Sequence, residues 1–479
     1  SMPGMYPANI EWPEFFAKRG YVCMCITLPH STWQPFTAFN TKDPKDGNLT
    51  HYAIAQMRAI TYLTTIPQVN PEKIGIGGSS YGGFFATLIA GADPRIKCGM
   101  SFFAGGNLSY GTNRPEFNKM ESEQDVEIWN KTIDPALRLK FRKVPFLWGI
   151  AANDHWDYLP ALIKTYEDSI GEKRIAIVPM WSHAFPEEID EQLFSWFDIY
   201  LKKSRKPYNE VSDLSILKKK DRLFAKWSFS GENKVKKAEL VVSYGKVSPW
   251  KYWTCRNHIV FPAEVKENTA IGEIPVVEPY IEMLVYGNII DENDVLISTI
   301  PVHIKAIDYG IKKANCKTKF NLFQWKIFDH KTEINFKRIG ITGFIFDYHT
   351  KKNGMPSLKV DPSKTNPVSL QLHHVPERAH KLKMWVKAEK LTEINISVKA
   401  LELPNSHYPI VRILRKQTKN NMVLPVYSKT FTVDGKWKFI EIDCPYINED
   451  IEGYVLLISS SQHVPYWINS IIFEPVWKK

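Results

Sequence analysis

The sequence predicts a doubly wound, mostly parallel α/β sheet followed by two antiparallel β-sandwich domains, so the overall fold class is α/β. Up to about residue 203, short apolar runs alternate with segments that have apolar residues at helical spacing. After the basic segment 202–207 helical periodicity fades, and short alternating runs separated by turn residues take over. We therefore expect domains at 1–205, 206–310 and 311–479.

In the first region each apolar run reads as a strand and each amphipathic segment as a helix. The predicted strands are 20–28, 73–76, 96–103, 144–150 and 174–180. The predicted helices are 51–65, 81–92, 158–170 and 187–201, with a charged helical segment at 122–140. Strands without polar alternation are typical of a parallel sheet that is covered by helices on both faces.

In the second half the alternating runs predict antiparallel strands with one buried face. They are 238–244, 280–285, 381–389, 437–443, 454–459 and 467–473. About 270 residues are too many for one ordinary sandwich, so two are expected, with a boundary near 306–320. Tryptophans inside these strands, Trp385, Trp437 and Trp467, fit a sandwich core better than a sugar-binding platform.

Charge is distributed unevenly along the chain. The formal net charge is +11, and residues 211–479 carry 40 Lys and Arg against 28 Asp and Glu. A solvated lysine surface explains this excess, and an acidic polymer or a membrane surface is the alternative partner. The lysines are scattered and no arginine-rich motif occurs, so no nucleic-acid partner is predicted. No apolar run approaches the roughly 20 residues of a membrane span, so none is expected.

Cysteine and histidine spacings give no sign of a metal site. The six cysteines form no C-x-x-C pair, although one or two disulfides stay open. His373, His374 and His380 fit a turn before a strand better than a ligand set, and no HExxH motif occurs. We therefore predict no metal and no cofactor. The start at Ser1 and Met2 suggests a trimmed chain or an expression scar.

The strongest chemical signal is the G-x-S-x-G motif from Gly78 to Gly82, with Ser80 at its centre. An apolar strand leads into the motif and an apolar helix leads out of it. In that setting the serine lies on a sharp turn at the carboxyl edge of the sheet, where its hydroxyl serves as a nucleophile. The alternative is a glycine-rich turn that merely packs a helix close to a sheet.

A serine hydroxyl needs a base, and the base needs a carboxylate that fixes its tautomer. Asp154 follows the strand at 144–150, and His183 follows the strand at 174–180. This order of serine, acid and histidine, with one helix between acid and base, suits a parallel sheet. Asp157 is the alternative acid and His155 the alternative base.

The residues of the oxyanion hole and of the substrate pocket are predicted from their position in the sequence rather than from a motif. The oxyanion hole should use the backbone N–H of Tyr81 and a second N–H from the segment 3–7, given by Met5 or Gly4. Trp156, Trp181 and Tyr110, together with Phe185, are close enough in sequence to the catalytic loops to line a substrate pocket. Each of these aromatic residues also fits a role in the core.

At these residues the sequence resembles a known family. VNPEKIGIGGSSYGGFFATLIAGADPRIKCGM is similar to the nucleophile region of acetylxylan esterase/cephalosporin-C deacetylase-like α/β-hydrolases, and to prolyl-oligopeptidase-related domains. VPFLWGIAANDHWDYLP and VPMWSHAF resemble the acid and base segments, so the likeness covers roughly 10–203. It implies Ser80, Asp154 and His183 as a triad. It also implies an N-terminally incomplete sheet, because the strands that precede position 20 in this family are absent.

The C-terminal half carries a second resemblance. GKWKFIEID and YWINSIIFEP are similar to jelly-roll modules of the carbohydrate-binding type, and the region 206–310 suits an Ig-like sandwich. These likenesses imply a serine ester hydrolase without fixing its substrate. Our first hypothesis is an esterase that removes acetyl groups from a carbohydrate, acting on a small ester or an acylated sugar. A prolyl-oligopeptidase-like peptidase and a catalytically silent binding protein are the alternatives. Accessory β-modules favour a secreted or periplasmic protein, and the oligomeric state stays open.

Overall fold

The structure is a computed structural model that describes most of the chain. The described residues are 11–26, 42–110, 122–152, 154, 159–179, 189–245, 258–315, 323–324, 344–352, 354–364, 367–372, 380–402, 423–445 and 451–475.

A parallel sheet forms the centre of the N-terminal region. Its four strands are β1 (Ile74–Ser79), β2 (Ile96–Phe102), β3 (Phe146–Ala151) and β4 (Lys173–Val178). They lie side by side in chain order, and every neighbouring pair is parallel. The predicted parallel sheet is therefore confirmed over these strands. Within the described residues β1 pairs with a strand on one side only, and the N-terminal incompleteness of the sheet stays a prediction.

Helices pack on this sheet, most of them near the predicted places. They are α1 (Glu11–Ala17), α2 (Asn48–Leu63), α3 (Tyr81–Ala92), α4 (Glu123–Thr132), α5 (Ala136–Leu139), α6 (Leu159–Asp168) and α7 (Asp190–Phe197). The helix at Glu11–Ala17 was not predicted, and the segment 122–140, predicted as one helix, forms two. Helix α3 is buried all round from Tyr81 to Ala90, as its apolar composition requires. Helix α7 runs into a π-helical turn, Asp198–Lys202, and ends where Lys203 adopts a left-handed conformation.

The prediction of a strand at 20–28 is wrong for the residues that the structure describes. Residues 21–26 are described without any strand pairing. The hydroxyl of Tyr21 donates a hydrogen bond to Asp198 at 2.5 Å, and its ring packs edge-on against Phe197. Side-chain contacts with α7, rather than a backbone ladder, hold this segment, so apolar content alone misidentified it. Residues 27–28 lie outside the described ranges.

Antiparallel strands dominate from residue 210 onward, as predicted. The first group is β5 (Glu210–Val211), β6 (Ser215–Lys219), β7 (Arg222–Ser230), β8 (Val235–Tyr244), β9 (Ile259–Lys266), β10 (Thr269–Ile274), β11 (Glu282–Asp291), β12 (Leu296–Ser298) and β13 (Val302–Lys305). Their order is β12-β11-β8-β9-β10-β7-β5, with β13 beside β11 and β6 beside β7. Strand β7 alternates exposed and buried residues, which is the signature of a sheet with one covered face.

Two further antiparallel sheets follow. Their strands are β14 (Phe323–Gln324), β15 (Phe344–Lys352), β16 (Met355–Val360), β17 (Val368–Leu372), β18 (His380–Ala388), β19 (Thr392–Glu402), β20 (Val423–Val433), β21 (Lys438–Cys444), β22 (Ile451–Ser460) and β23 (Tyr466–Pro475). One sheet has the order β15-β16-β23-β18-β21 with β14 beside β23, and the other β17-β22-β19-β20. Buried residues of both sheets, including Leu382, Ile396 and Ile458, form one apolar cluster, so the sheets pack face to face.

The apolar clusters do not follow the predicted boundary at residue 205. Met100 and Phe197 of the α/β region belong to the same buried cluster as Trp227, Leu240 and Met283 of the first antiparallel region. By contrast, the buried cluster of the last two sheets draws only on residues from 358 to 471. The first two regions thus share a core, while the division into three domains stays a prediction.

Among the described helices, none has both the length and the apolar character needed to cross a membrane.

One arginine fixes the connection between α3 and β2. The guanidinium of Arg142 donates hydrogen bonds to the backbone carbonyls of Ala90, Asp93, Pro94 and Ile96, at 3.0 Å for Pro94 and 2.6 Å for Ile96. We expect Arg142→Met to lower the free energy of unfolding by about 1–3 kcal/mol, because buried carbonyls lose their donors. Urea unfolding followed by circular dichroism measures the change.

Arg138→Met is the matched control for this prediction. The guanidinium of Arg138 donates only to the carbonyl of Thr132, at a longer 3.3 Å, among the bonds recorded for the described residues. A loss as large in Arg138→Met as in Arg142→Met would contradict the assigned role.

Candidate active site

Ser80 occupies the sharp turn between β1 and α3. Its backbone has φ 54° and ψ −118°, a conformation that residues other than glycine rarely adopt. Its N–H donates to the carbonyl of Phe102 at 2.7 Å, and its carbonyl accepts from the N–H of Phe84 at 2.9 Å. These two bonds hold the turn between the neighbouring strand and the first turn of the helix. Strain of this kind typically costs about 1–3 kcal/mol and concentrates at functional positions.

Two glycines near Ser80, Gly78 at the start of the motif and Gly83 just after it, leave no room for a side chain. A Cβ atom on Gly78 would lie 2.3 Å from the backbone carbonyl carbon of Gly82. Likewise, a Cβ on Gly83 would lie 2.4 Å from the hydroxyl oxygen of Ser101. The first glycine of the motif therefore has a steric cause here, as predicted for a nucleophile turn.

The Ser80 side chain is not used to cap the helix that follows it. Serine at the position before a helix usually accepts a hydrogen bond from the helix N-terminus, but Ser80 makes no such side-chain bond. Its hydroxyl thus lies at the positive end of the α3 dipole, where developing negative charge is stabilised. Tyr81 is the first residue of α3, and its buried ring packs at 5.9 Å from that of Phe84.

The second predicted residue, Asp154, follows β3 at the same edge of the sheet. It is 2% exposed, and its N–H donates to the carbonyl of Ala151 at 3.0 Å. The next bond along, from the N–H of Ala152 to the carbonyl of Val178, ties this turn to the end of β4 at 2.9 Å. A carboxylate buried this deeply needs hydrogen-bond donors around it, which suits a group that orients an imidazole.

His183 lies outside the described residues, as do the alternatives His155 and Asp157. Strand β4 ends at Val178 and α7 begins at Asp190, so the histidine belongs to the connection between them. Because β1, β3 and β4 are parallel, Ser80, Asp154 and this connection all follow the carboxyl ends of strands in one sheet. The meeting of the three side chains stays a prediction.

The predicted pocket residues have mixed outcomes. Tyr110 lies in the connection after β2 and is 50% exposed, with the ammonium of Lys164 6.0 Å from its ring centre. It is therefore not a core residue, and its contact with substrate stays a prediction. Trp156, Trp181 and Phe185 lie outside the described ranges, as does Met5 of the predicted oxyanion hole.

Sequence reasoning missed a buried carboxylate that shapes the loop after β2. Asp134 accepts hydrogen bonds from the N–H groups of Asn107, Leu108 and Ala136 at 2.8, 3.1 and 2.9 Å. The indole of Trp129 donates a fourth at 3.1 Å. Burial raises the pKa of this carboxyl, and the four donors oppose the rise. Asp134 thereby anchors the loop 103–110 to the connection between α4 and α5.

Helix α6 holds the same loop from the other side. The hydroxyl of Thr165 accepts from the N–H of Gly106 at 2.9 Å and donates to the carbonyl of Ala161 at 2.8 Å. The amide of Asn107 donates to Asp168 at 3.1 Å. Asn107 has a positive φ of 53°, so the loop is strained as well as anchored. The run Gly105-Gly106-Asn107 directly after a strand was the available signal for this turn.

A cavity among the described residues lies elsewhere. It has a volume of about 520 Å³ and is bounded by Arg205 and Tyr208 on one side and by the β11–β12 turn, 291–295, on the other. Neither Ser80 nor Asp154 lines it. This cavity therefore belongs to the junction between the first two regions and not to the candidate active site.

Comparisons with known proteins agree with the expected resemblance. Acetyl esterase Axe7A of Xylanibacter ruminicola is 28% identical over 146 residues, which cover 25% of this chain and 33% of that protein. The chain thus spans about a third of the length of the curated relative that it matches. No protein-family model matches the chain. The predicted resemblance to acetyl esterases is confirmed by this relative.

Solved structures of two kinds are similar to parts of the chain. Acetyl xylan esterase 1 of a Thermoanaerobacterium species is 16% identical with a TM-score of 0.32, covering 37% of this chain and 61% of that one. The CBM22-1 xylan-binding domain of Paenibacillus barcinonensis Xyn10C is also 16% identical, with a TM-score of 0.26. It covers 34% of this chain and 99% of that domain.

Replacing a flanking glycine tests the geometry of the turn. In Gly78→Ala the new methyl group collides with the backbone of Gly82, so the turn opens and Ser80 moves from its place. We expect labelling of Ser80 by a fluorophosphonate probe to fall at least a hundredfold, since misplacement of about 1 Å is enough for such a loss.

Gly435→Ala serves as the control, because a Cβ there meets no atom within 4 Å. Mass spectrometry measures the rate of Ser80 labelling in Gly78→Ala, in Gly435→Ala and in the parent protein. Equal rates in Gly78→Ala and the parent protein would refute the steric argument.

Proposed function

We propose that this chain is a serine carboxylic-ester hydrolase that removes acetyl groups from a carbohydrate. The observation that carries the proposal is the strained Ser80 turn between a parallel strand and a buried helix. A turn of this shape, closed by Gly78 and Gly82, serves to present a nucleophilic hydroxyl. The buried Asp154 after β3 supplies a carboxylate at the same edge.

The proposed reaction runs through an acyl-enzyme. Ser80 Oγ attacks the acetyl carbonyl while His183 takes its proton, and Asp154 holds the imidazole in the required tautomer. The backbone N–H of Tyr81, with that of Met5, stabilises the negative oxygen of the tetrahedral intermediate. His183 then gives its proton to the departing sugar oxygen. It next activates a water molecule, whose attack releases acetate and restores the serine.

The acetyl group as substrate is supported by the relative, which is named an acetyl esterase. The strained serine supports an enzyme over a silent binding protein, because a conformation that destabilises the fold persists where it serves a function. The substrate experiment below tests whether the chain is instead a peptidase on the same fold.

The C-terminal region is proposed to bind the carbohydrate chain. It covers the proposed jelly roll 311–479, after the proposed Ig-like domain 206–310. On one face of its six-stranded sheet, Trp385 and Phe439 lie with ring centres 5.0 Å apart, and Phe439 is 47% exposed. Trp467 is 8% exposed and belongs to the core instead, with its indole bonded to Asp347 at 2.7 Å. Trp385 is partly buried, with the ammonium of Lys352 3.7 Å from its ring centre, and the exposed Phe439 ring beside it suits the apolar face of a sugar ring.

Single substitutions test the proposed triad. We expect Ser80→Ala and His183→Ala each to reduce turnover of p-nitrophenyl acetate by about 10³-fold or more, and Asp154→Asn by about 10⁴-fold. Members of a triad act as one unit, so removing any of them removes most of the catalysis. Steady-state kinetics of acetate release measure the effect.

Asp157→Asn is the matched control for Asp154→Asn. If Asp157→Asn loses activity and Asp154→Asn keeps it, Asp157 and not Asp154 is the acid of the triad.

A substrate pair of acetylated xylan and a proline-containing peptide separates an esterase from a peptidase. Cleavage of the peptide alone would overturn the proposed ester specificity.

Removing the partly buried indole beside Phe439 tests the binding region. We expect Trp385→Ala to weaken binding to insoluble xylan roughly fivefold to tenfold, equivalent to about 1–1.4 kcal/mol, without changing hydrolysis of p-nitrophenyl acetate. Depletion of protein from solution by xylan measures the affinity. Phe141→Ala is the control, because Phe141 is an 80% exposed aromatic residue of the α/β region. Equal losses in both variants would contradict a specific binding face.

A further inference from the structure

Strand β4 reaches across the boundary between the first two regions. Among the described residues β4 pairs with β3 on one side only, and β12 of the antiparallel region lies on its other side. Buried backbone groups on the open side of an edge strand need hydrogen-bond partners. The partners found here are side chains of the β11–β12 hairpin.

Two side chains bind the backbone of Ile177, the penultimate residue of β4. The N–H of Ile177 donates to the hydroxyl of Ser298 at 2.7 Å, and that hydroxyl donates to the side-chain oxygen of Asn288, also at 2.7 Å. The amide of Asn288 donates back to the carbonyl of Ile177 at 3.5 Å. Asn288 and Ser298 are both buried and face each other across the hairpin. Together they replace a strand partner for Ile177.

Strand β12 also holds the beginning of α7. The side-chain amide of Gln192, which is fully buried, donates to the carbonyl of Leu296 at 2.6 Å. Leu296 and Ser298 are the two ends of β12. The connection that contains His183 leaves β4 after Val178 and enters α7 at Asp190, so β12 binds the chain on both sides of it.

Strand β3, which precedes Asp154, ends beside the end of β4. Val178 pairs with Ala151, and the N–H of Ala152 donates to the carbonyl of Val178. The turn to Asp154 and the connection to His183 therefore depart from adjacent strand ends. Whatever fixes the end of β4 acts on both.

We infer that Asn288, Ser298 and Gln192 are positioning residues that hold the connection bearing His183 in place for Ser80. This inference rests on the proposed function. It assigns the β11–β12 hairpin to the catalytic unit, so the first antiparallel region does more than cover the hydrolase region. These three residues touch no substrate and act through the backbone on either side of the histidine.

Neighbouring hydroxyls on the hairpin offer a matched pair of variants. Ser298→Ala removes the group that binds Ile177. Thr299→Val removes an equally buried hydroxyl whose recorded bonds, to Gly287 and to the carbonyl of Ile300, stay within its own region. We expect Ser298→Ala to lower kcat for p-nitrophenyl acetate by about 10- to 100-fold with little change in KM, since small displacements of a catalytic group have effects of this size. Thr299→Val should stay within about twofold of the parent.

A double-mutant cycle separates positioning from general damage. If Ser298 acts through His183, adding Ser298→Ala to His183→Ala should change the residual rate by less than about twofold. A full 10- to 100-fold loss in that background would show that Ser298 acts elsewhere and would overturn the inference. Equal kcat values for Ser298→Ala and Thr299→Val would also overturn it.

Amide hydrogen exchange gives a readout that needs no activity. We expect peptides spanning 174–192 to exchange at least about tenfold faster in Ser298→Ala than in Thr299→Val, with the rest of the α/β region unchanged. Unchanged exchange at 174–192 would overturn the inference. If His183→Ala keeps full esterase activity, the proposed function fails instead, and the exchange result still decides whether the hairpin holds this segment.

Discussion

The backbone of Ser80 is the constraint on which the rest of the site depends. Its conformation is held by one bond to β2, through the carbonyl of Phe102, and by one to the first turn of α3. The strain of about 1–3 kcal/mol is affordable because α3 is buried almost throughout and anchors the turn with its packing. The absence of a side chain at Gly78 lets that residue approach the backbone of Gly82 at the other end of the turn.

Contacts from three parts of the molecule hold the loops and strand ends around this turn. Asp134 and Thr165 bind the loop after β2 from the helical side of the α/β region. Asn288 and Ser298 bind the end of β4 from the antiparallel region. The apolar cluster that joins Phe197 with Trp227 supports both, because it fills the space between the two regions. Rigid strand ends with polar anchors are the arrangement that keeps catalytic groups within reach of one another.

The sequence predicted those parts of the fold in which local pattern and tertiary burial agree. Helix α3 was predicted with the bounds that the structure has, because an all-apolar helix after G-x-S-x-G admits one packing. The strand at 20–28 was wrong because Tyr21 is held by Asp198, a contact 177 residues away that no local pattern reveals. Asp134 and Ser298 were missed for the same reason, since each binds backbone groups distant in sequence. The motif predicts Ser80 and the strand order predicts Asp154, and both stay predictions as site residues, because side-chain reach between distant loops is not encoded in spacing.

The apolar cluster shared across residue 205 has a consequence for biosynthesis. The four described strands of the parallel sheet have all been made once Val178 is reached, but one cover of the sheet, which includes Met283 and Ile297, follows more than a hundred residues later. At ribosomal speeds of about 5–20 residues per second, the nascent chain spends roughly ten seconds with that apolar surface unprotected. A chaperone that shields the emerging polypeptide during this interval would therefore raise the yield of active protein more than it raises the stability of the finished molecule.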